Sequence, residues 1–479
     1  MGLEPSASTT SPEGTDSAPE LLAAGSAPPA DLRTLMKVAW PLIVSGSLTT
    51  IQITVDRIFL SHVNADVASA STASMSILWL PFSILFFTAG YVATFVSQYS
   101  GAGRPHRVGA AVWHALYFSI AGGILFLGMH PFADDLFAAV GHSPHLQVLE
   151  ADFFRCLCWY GLPASIVAAL NGFFSARGQS GTVVLLSAIT LAVTIGLDYV
   201  LIFGHFGFPA LGIIGAGWAT VAGAATAAIV GFVLFLRPRY RELYASHTGW
   251  RFDPDLFWRL LRYGIPNAVQ WMLDISAFNA FIVLAGWFGD AELAATGLAI
   301  TINHLAFIPM FGLAQAVAIL VGTNLGVNNP HGAERVSYLG MRVAAVYMVL
   351  IGLLYVLFPS VFLFPFQGDN EAALWTPIAD RTRVVLWFVA AFAFFDAVNI
   401  VFNFALRGAG DTVFVSLVSL SLAWPVMVIP SYLAYRYEWG FYWTWVFVTV
   451  YVMAQATCFY VRFRGGKWRS MRVIEPAVI

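Results

Sequence analysis

Between its charged clusters this chain runs apolar for roughly 20 to 30 residues at a time, again and again from end to end. About 20 such residues suffice to cross the hydrocarbon core of a bilayer. Hydrocarbon offers no water to an unpaired backbone amide, so a spanning element must satisfy its own N–H and C=O groups. Helices and closed barrels do this. A barrel would read as short alternating strands, and no such alternation is evident. With 59% hydrophobic and only 10% charged residues, against about 25% charged in an average soluble chain, water is not the main solvent. The expected fold is all-α and integral to the membrane, with about twelve transmembrane helices.

Hydropathy and Gly/Pro punctuation place helices near 34–62, 66–99, 106–131, 144–176, 181–204 and 211–236. A second set lies near 255–288, 291–325, 331–358, 374–407, 412–436 and 440–463. Residues 1–33 are rich in Ser, Pro, Ala and Glu, with no positive charge ahead of the first apolar run until Arg33. They read as a disordered cytoplasmic tail rather than a signal peptide. The segments 237–254 and 464–479 read as a cytoplasmic linker and a basic cytoplasmic tail. The myristoylation pattern at Met1-Gly2 with Ser6 is too short to carry weight. Cys156, Cys158 and Cys458 all fall in expected helices and form no disulfide framework. The net charge of −2 includes no basic block suited to nucleic acid.

Lys and Arg set the orientation. Nineteen of the 24 fall on one side, among them Arg33, Lys37, Arg104, Arg177, Arg237, Arg262, Arg335, Arg407 and Arg464. The other side has only Arg155, Arg381, Arg383 and Arg436, and Arg57 lies within the first helix. By the positive-inside rule both termini are cytoplasmic. The acids Glu150, Asp152, Asp290, Asp369 and Glu371 decorate the outer loops.

The chain also repeats itself. Val-Ala-Thr-Phe-Val at 92–96, with Gly101 and Pro105-His106, recurs 225 residues later as Val-Ala-Ile-Leu-Val at 317–321, with Gly326 and Pro330-His331. Asn171, Arg177-Gly178 and Thr182-Val183 nearly match Asn403, Arg407-Gly408 and Thr412-Val413. Six helices return the chain to its starting side, so the halves 34–236 and 255–463 are parallel repeats about an axis along the membrane normal. Two six-helix bundles facing each other across a central cleft are expected.

A carboxylate inside a bilayer is costly and is a functional candidate by default. Four acids lie well inside expected helices: Asp56, Asp198, Asp274 and Asp396. Each belongs to a polar stripe at helical spacing. The stripes are Ser45, Thr49, Gln52 and Asp56; Thr190, Thr194 and Asp198; Asn267, Gln270 and Asp274; and Asp396, Asn399 and Asn403. Asn303 and His304 are further candidates for lining a cavity. Such polar faces also serve as glue between helices, and an isolated acid can be held in a structural hydrogen bond. A buried carboxyl can hold a proton, a sodium ion or a cationic substrate. Competition among these is the simplest route to exchange. One charge crossing the membrane gains about 2.3 kcal/mol per 100 mV. Arg57 either snorkels toward the headgroups, the favoured reading, or partners one of the acids.

These residues together resemble the multidrug and toxic compound extrusion (MATE) family. The resemblance lies in Pro41, Val55-Asp56-Arg57-Ile58-Phe59, Ser97-Gln98, Gly101-Ala102-Gly103 and Arg177-Gly178. It continues through Leu197-Asp198-Tyr199-Val200-Leu201-Ile202-Phe203-Gly204, Pro209, Gly212-Ile213, Gly215-Ala216-Gly217 and Ala219-Thr220. In the second half Gly264-Ile265-Pro266 with Asp274, Val321-Gly322 with Gly326, and Phe394-Phe395-Asp396 with Leu406-Arg407-Gly408 match in order, so roughly 34–463 is covered. The resemblance implies an antiporter of the cell membrane that exports cationic or amphipathic organic compounds in exchange for H+ or Na+, with no cofactor and no obligate protein partner. It implies an N-lobe coupling site at Asp56 and Asp198 with Thr194 and Thr220 nearby, and C-lobe acids at Asp274 and Asp396. Sodium would sit at one of these two pairs. The family often has Asn where this chain has Thr194 and Glu where it has Asp274. The rivals are a flippase for lipid-linked precursors, whose cavity would need Arg or Lys, and a membrane-embedded enzyme. No His-Glu-x-x-His or Gly-x-Ser-x-Gly motif supports the latter.

Overall fold

The computed structural model describes residues 25–367 and 372–476. Most of the expected N-terminal tail, Asp369 and Glu371, and the last three residues lie outside the described residues. Among the described residues twelve helices are long and apolar enough to cross a membrane. They are α1 Leu32–Val63, α2 Ala65–Gly101, α3 His106–Val140, α4 Pro144–Ala176, α5 Ser180–Phe203 and α6 Ile213–Phe235. The second six are α7 Pro254–Gly286, α8 Asp290–Gly326, α9 Pro330–Leu357, α10 Trp375–Ala409, α11 Thr412–Arg436 and α12 Tyr442–Arg464. No strand occurs among the described residues. The largest departure from the sequence reading is α3, which runs on past 131 through a tight turn at His130–Phe132 and a short helix Ala133–Val140. The 237–254 segment also contains a short helix, Pro238–Tyr244.

Local chemistry fixes the helix ends. Asp31 accepts the Thr34 amide at 2.7 Å and caps α1. Asn64 alone separates α1 from α2 and caps the latter through the Asp66 amide. Asp253 accepts the amides of Asp255 and Leu256 at the start of α7. Inside α11 a π-helical turn at Ala423–Val428 surrounds Pro425, which has no N–H to give.

Apolar packing is continuous across both halves only at the end of the bundle where the arginines gather. One core there joins Leu35, Phe95, Val112 and Phe173 of the first half to Leu260, Val317, Phe402 and Phe463 of the second. Toward the opposite end it divides into separate cores, one built on Phe82, Phe126 and Phe154, the other on Phe281, Val389 and Trp445. The two lobes are thus joined at the basic end and part toward the other.

The seam at the basic end is made by backbone approach. A methyl group added to Gly101 would lie 3.1 Å from the Gly326 Cα, and one added to Gly326 would lie 2.9 Å from the Gly101 Cα. These glycines are equivalents in the 225-residue repeat. Only residues beside a two-fold axis touch their own equivalents, so the pseudo-axis runs through this contact. Buried hydrogen bonds lock it. Tyr91 donates to the Arg407 carbonyl at 2.8 Å, Gln98 Nε2 to the Gly408 carbonyl at 3.0 Å, and Asn267 to the Phe87 carbonyl at 3.1 Å.

The segment after α12, expected as a tail, is instead folded against this seam as far as residue 476. Trp468 is fully buried and stacks on Phe463 with ring centroids 4.5 Å apart. Its indole N–H satisfies the Phe463 carbonyl. The Val473 amide donates to Gln98 Oε1 at 2.9 Å. Glu475 accepts from Tyr99 at 2.6 Å and lies 3.3 Å from Arg107 of one lobe and 4.0 Å from Arg259 of the other. Apolar Trp468, Val473 and Ile474 supply what a hydrated tail would lack. Burial pushes the Glu475 carboxyl up, but the Tyr99 hydroxyl and the arginines more than offset this and hold it below its ordinary value of 4.5. Its contribution is therefore complete above about pH 4.5 and is lost only as acid titrates it below that value. Glu475→Gln should lower stability at neutral pH by about 1–2 kcal/mol, seen as a lower melting midpoint in detergent, and the difference should vanish in strong acid.

Candidate functional site

Three of the four intramembrane acids stand beside a second polar helix, and the two lobes treat them differently. In the N-lobe, α1 packs along α5 and carries its polar stripe with it. Ser45 shares a hydrogen bond with Ser187 at 2.6 Å, and one face further on Gln52 Nε2 points at Thr194 Oγ1 at 3.4 Å. The next turn brings Asp56 against Asp198, close enough for the two carboxyl groups to share a hydrogen bond. Asp198 and Thr194 are fully buried and Asp56 is half-buried. Among the described residues, no donor reaches either Asp198 oxygen or Oδ1 of Asp56, and no cation stands beside the pair. Thr220, 6% exposed, comes from α6. That helix approaches α5 because Gly223 has no side chain: a Cβ there would collide with the Thr194 hydroxyl.

The C-lobe acid Asp274 is, by contrast, held in a hydrogen-bonded network. Gln270 Nε2 donates to its Oδ2 at 3.1 Å and the Tyr451 hydroxyl to its Oδ1 at 3.1 Å. Arg407 donates to Gln270 Oε1 at 2.5 Å. Gln455 donates to Ser419 and to Tyr451, each at 3.0 Å, and accepts from Asn399 at 2.9 Å. Four helices, α7, α10, α11 and α12, meet in this chain of bonds. Arg407 is 5% exposed, and its guanidinium lies 4.9 Å from the Trp271 ring and 5.1 Å from that of Phe404. Its charge reaches Asp274 through Gln270. Asp396 is 8% exposed and no side chain among the described residues pairs with it. Tyr451 lies within electrostatic range of Asp396 as well as bonded to Asp274.

The remaining expected residues divide. Asn303 and Asn403 each present a buried, unpartnered side-chain oxygen, consistent with polar positions that serve something beyond packing. Asn267 spends its amide on the inter-lobe seam. His304 is exposed and lies within electrostatic range of Arg57 on the other lobe. Arg57 is itself exposed and does not reach the Asp56–Asp198 pair. Among the described residues no three His, Cys, Asp or Glu side chains converge on a point, so a sodium ion at either acid pair would need hydroxyl or amide oxygens to complete its shell.

Comparison with known proteins fits this geometry. The family model described as MatE matches residues 41–200 and 266–433, nearly the whole of both lobes. The chain belongs to the MATE family. Among curated relatives, the probable multidrug resistance protein NorM of Brucella suis biovar 1 is 26% identical over 441 residues, covering 90% of this chain and 92% of that one. The protein of the same name from Xanthomonas campestris pv. campestris is 28% identical over 459 residues, covering 93% and 97%. Among solved structures, a MATE transporter in complex with MaL6 superposes with a TM-score of 0.82 at 17% identity, covering 91% of this chain and 97% of that one. A MATE transporter described in an outward-facing conformation gives 0.81, also at 17% identity, covering 91% and 96%. This MATE protein is thus a multi-pass membrane transporter of an efflux family and not an enzyme.

Charge-seeking along the sequence finds the acids but misses their partners. Tyr451, Gln455 and Ser419 carry no formal charge and went unnoticed. Tyr451 and Gln455, four residues apart on one face of the last helix, offered the same stripe signal as the acids did. Tyr160, within electrostatic range of Asp56, offered none, because a single Tyr in an aromatic-rich helix reads as packing. Arg407→Leu should strand Gln270 and Asp274 and cost about 3 kcal/mol. Arg407→Lys should cost less, because it keeps the charge but loses the planar stacking. Thermal unfolding of the two variants in detergent checks the order.

Proposed function

We propose that this MATE protein exports cationic or amphipathic organic compounds in exchange for H+ or Na+ by alternating access, with Asp56 and Asp198 as the coupling site. One observation carries the reading. Two carboxyl groups touch in a water-poor interior, and among the described residues neither a cation nor, on three of their four oxygens, a donor relieves them. Two like charges so placed cannot both persist alone. The pair must take up a proton or a sodium ion, with Thr194, Thr220 and Gln52 as the neighbouring polar atoms. Release of that ion leaves an anionic site, and an organic cation or the returning ion restores neutrality. Binding of one therefore opposes binding of the other, which is the condition for antiport.

Asp274 has less need of an external ion, because Arg407, Gln270 and Tyr451 already answer its charge. Asp396, buried and unpaired, is the better C-lobe candidate for attracting a cationic substrate. The Arg-rich end is cytoplasmic by the positive-inside rule. The state described is then closed to the cytoplasm and parted toward the outside of the cell membrane. The names of the relatives, multidrug resistance proteins, support drug-like substrates. A flippase for pyrophosphate-linked lipids is disfavoured. Arg177 is enclosed by the rings of Phe173, Tyr240 and Tyr244, with its guanidinium 3.9 Å from the last, and Arg407 is bound within the C-lobe network.

The test is efflux of a fluorescent organic cation from vesicles, driven separately by a sodium and a pH gradient. Asp56→Asn and Asp198→Asn should each cut gradient-driven export at least about tenfold while leaving the protein folded, since a neutral amide removes the ion's charge partner. Asp274→Asn should retain more. Full gradient-driven export by both N-lobe variants would sink the reading.

A further inference from the structure

At the basic end, away from the four intramembrane acids, a cavity of about 580 Å³ lies directly on the seam between the lobes. Ala102 and Gly326 form part of its floor, and its charged wall is Arg104, Arg259, Arg262, Arg472 and Glu475. Arg104 comes from the loop after α2, Arg259 and Arg262 from one face of α7, and Arg472 and Glu475 from the folded C-terminal segment. Four guanidiniums therefore face a single carboxylate. That carboxylate is already shared by Arg107 at 3.3 Å, Arg104 at 3.7 Å and Arg259 at 4.0 Å.

Arg262 and Arg472 are left over. Arg262 has no ion pair and no side-chain hydrogen bond among the described residues. Among the described residues Arg472 bonds to neutral oxygens, those of Arg469, Met471 and, at 3.3 Å, Asn328. Burial pulls its guanidinium below its usual value. Bringing uncompensated positive charges together around a concave, partly buried volume is unfavourable, and it is relieved by an anion with several oxygens. Guanidinium forks match phosphate in both charge and geometry. Glu475 shows that an oxyanion suits this wall, since the protein's own carboxylate already bridges Arg104 and Arg107 to Arg259.

We propose that this cavity binds a phosphate-bearing anion, held by Arg262 and Arg472 and backed by Arg104 and Arg259. Its wall includes the first turns of α7, at the basic end of the spans, so the phosphate can come from an anionic lipid headgroup or from solution. Because the cavity draws on both lobes, the bound anion ties the basic end shut and favours the state described here. This holds whichever acid carries the coupling ion.

The full-length protein, in discs of phosphatidylcholine, is titrated with inorganic phosphate. In a parallel arm it is placed in discs containing phosphatidylglycerol as the minor lipid. The melting midpoint and native mass spectrometry of retained lipid are the readouts. A saturable rise in the phosphate arm identifies a free anion; a rise with retained phosphatidylglycerol identifies a lipid. Arg262→Gln and Arg472→Gln should each weaken the effect about tenfold, the loss of one charge-assisted contact. Arg239→Gln, on the exposed linker outside the cavity, should leave it unchanged. Arg262 holds nothing else in place, so its variant reports binding even if the Arg472 variant proves unstable. No response in either arm, or an equal loss in the Arg239 variant, overturns the proposal.

Discussion

The cost of holding charge away from water governs this molecule. Each ionised group within the spans has to be answered, and the answers differ in kind. Arg177 is answered by three aromatic faces. Arg407 and Asp274 answer each other through the Gln270 amide, with Tyr451 and Gln455 closing the network. Among the described residues no cation stands beside Asp56 and Asp198, and no donor reaches three of their four oxygens. A static protein would gain by replacing such a pair with apolar residues. The coupling role proposed for this pair requires the opposite, a site that the protein's own side chains leave unsatisfied.

The same economy explains why the halves differ despite their common pattern. Each has an acid on its first helix and an Arg-Gly pair at an equivalent place. In the C-lobe the arginine reaches the acid through one intervening glutamine. In the N-lobe the arginine is enclosed by rings at the basic end, away from the acid pair. Among the described residues the acid of one lobe has its charge met internally and the pair of the other does not. Duplication supplied two copies of the frame, and a few side chains set them apart.

The seam at the basic end connects this chemistry to motion. Glycines at equivalent places meet on the pseudo-axis, and small residues let backbones approach where a larger side chain would hold them apart. The contacts combine hydrogen bonds to carbonyls, an ion cluster around Glu475 and a shared apolar core, with Phe87 stacked on Trp271 and Phe95 meeting Tyr263. On the alternating access proposed above, these are the contacts that would have to be exchanged. Toward the other end each lobe has its own core, so parting there breaks no common packing.

Much of this was legible in the chain alone. Long apolar runs dictate spanning helices because hydrocarbon leaves the backbone no alternative, and the twelve ends fall within a few residues of Gly, Pro and capping side chains. The 225-residue repeat pointed to two lobes, and scarce intramembrane acids supplied the candidates for a site. The sequence could not say which acids are answered and which are not. That depends on whether Gln270, Tyr451 and Arg407 converge on one carboxylate while, among the described residues, no donor reaches Asp198, and convergence of side chains from three helices is decided only by packing. Nor could it say that a basic stretch after the last helix folds into the seam. Its charge resembles that of any cytoplasmic tail, and only the partners waiting at Gln98, Tyr99 and Phe463 make burial of Trp468, Val473 and Ile474 favourable.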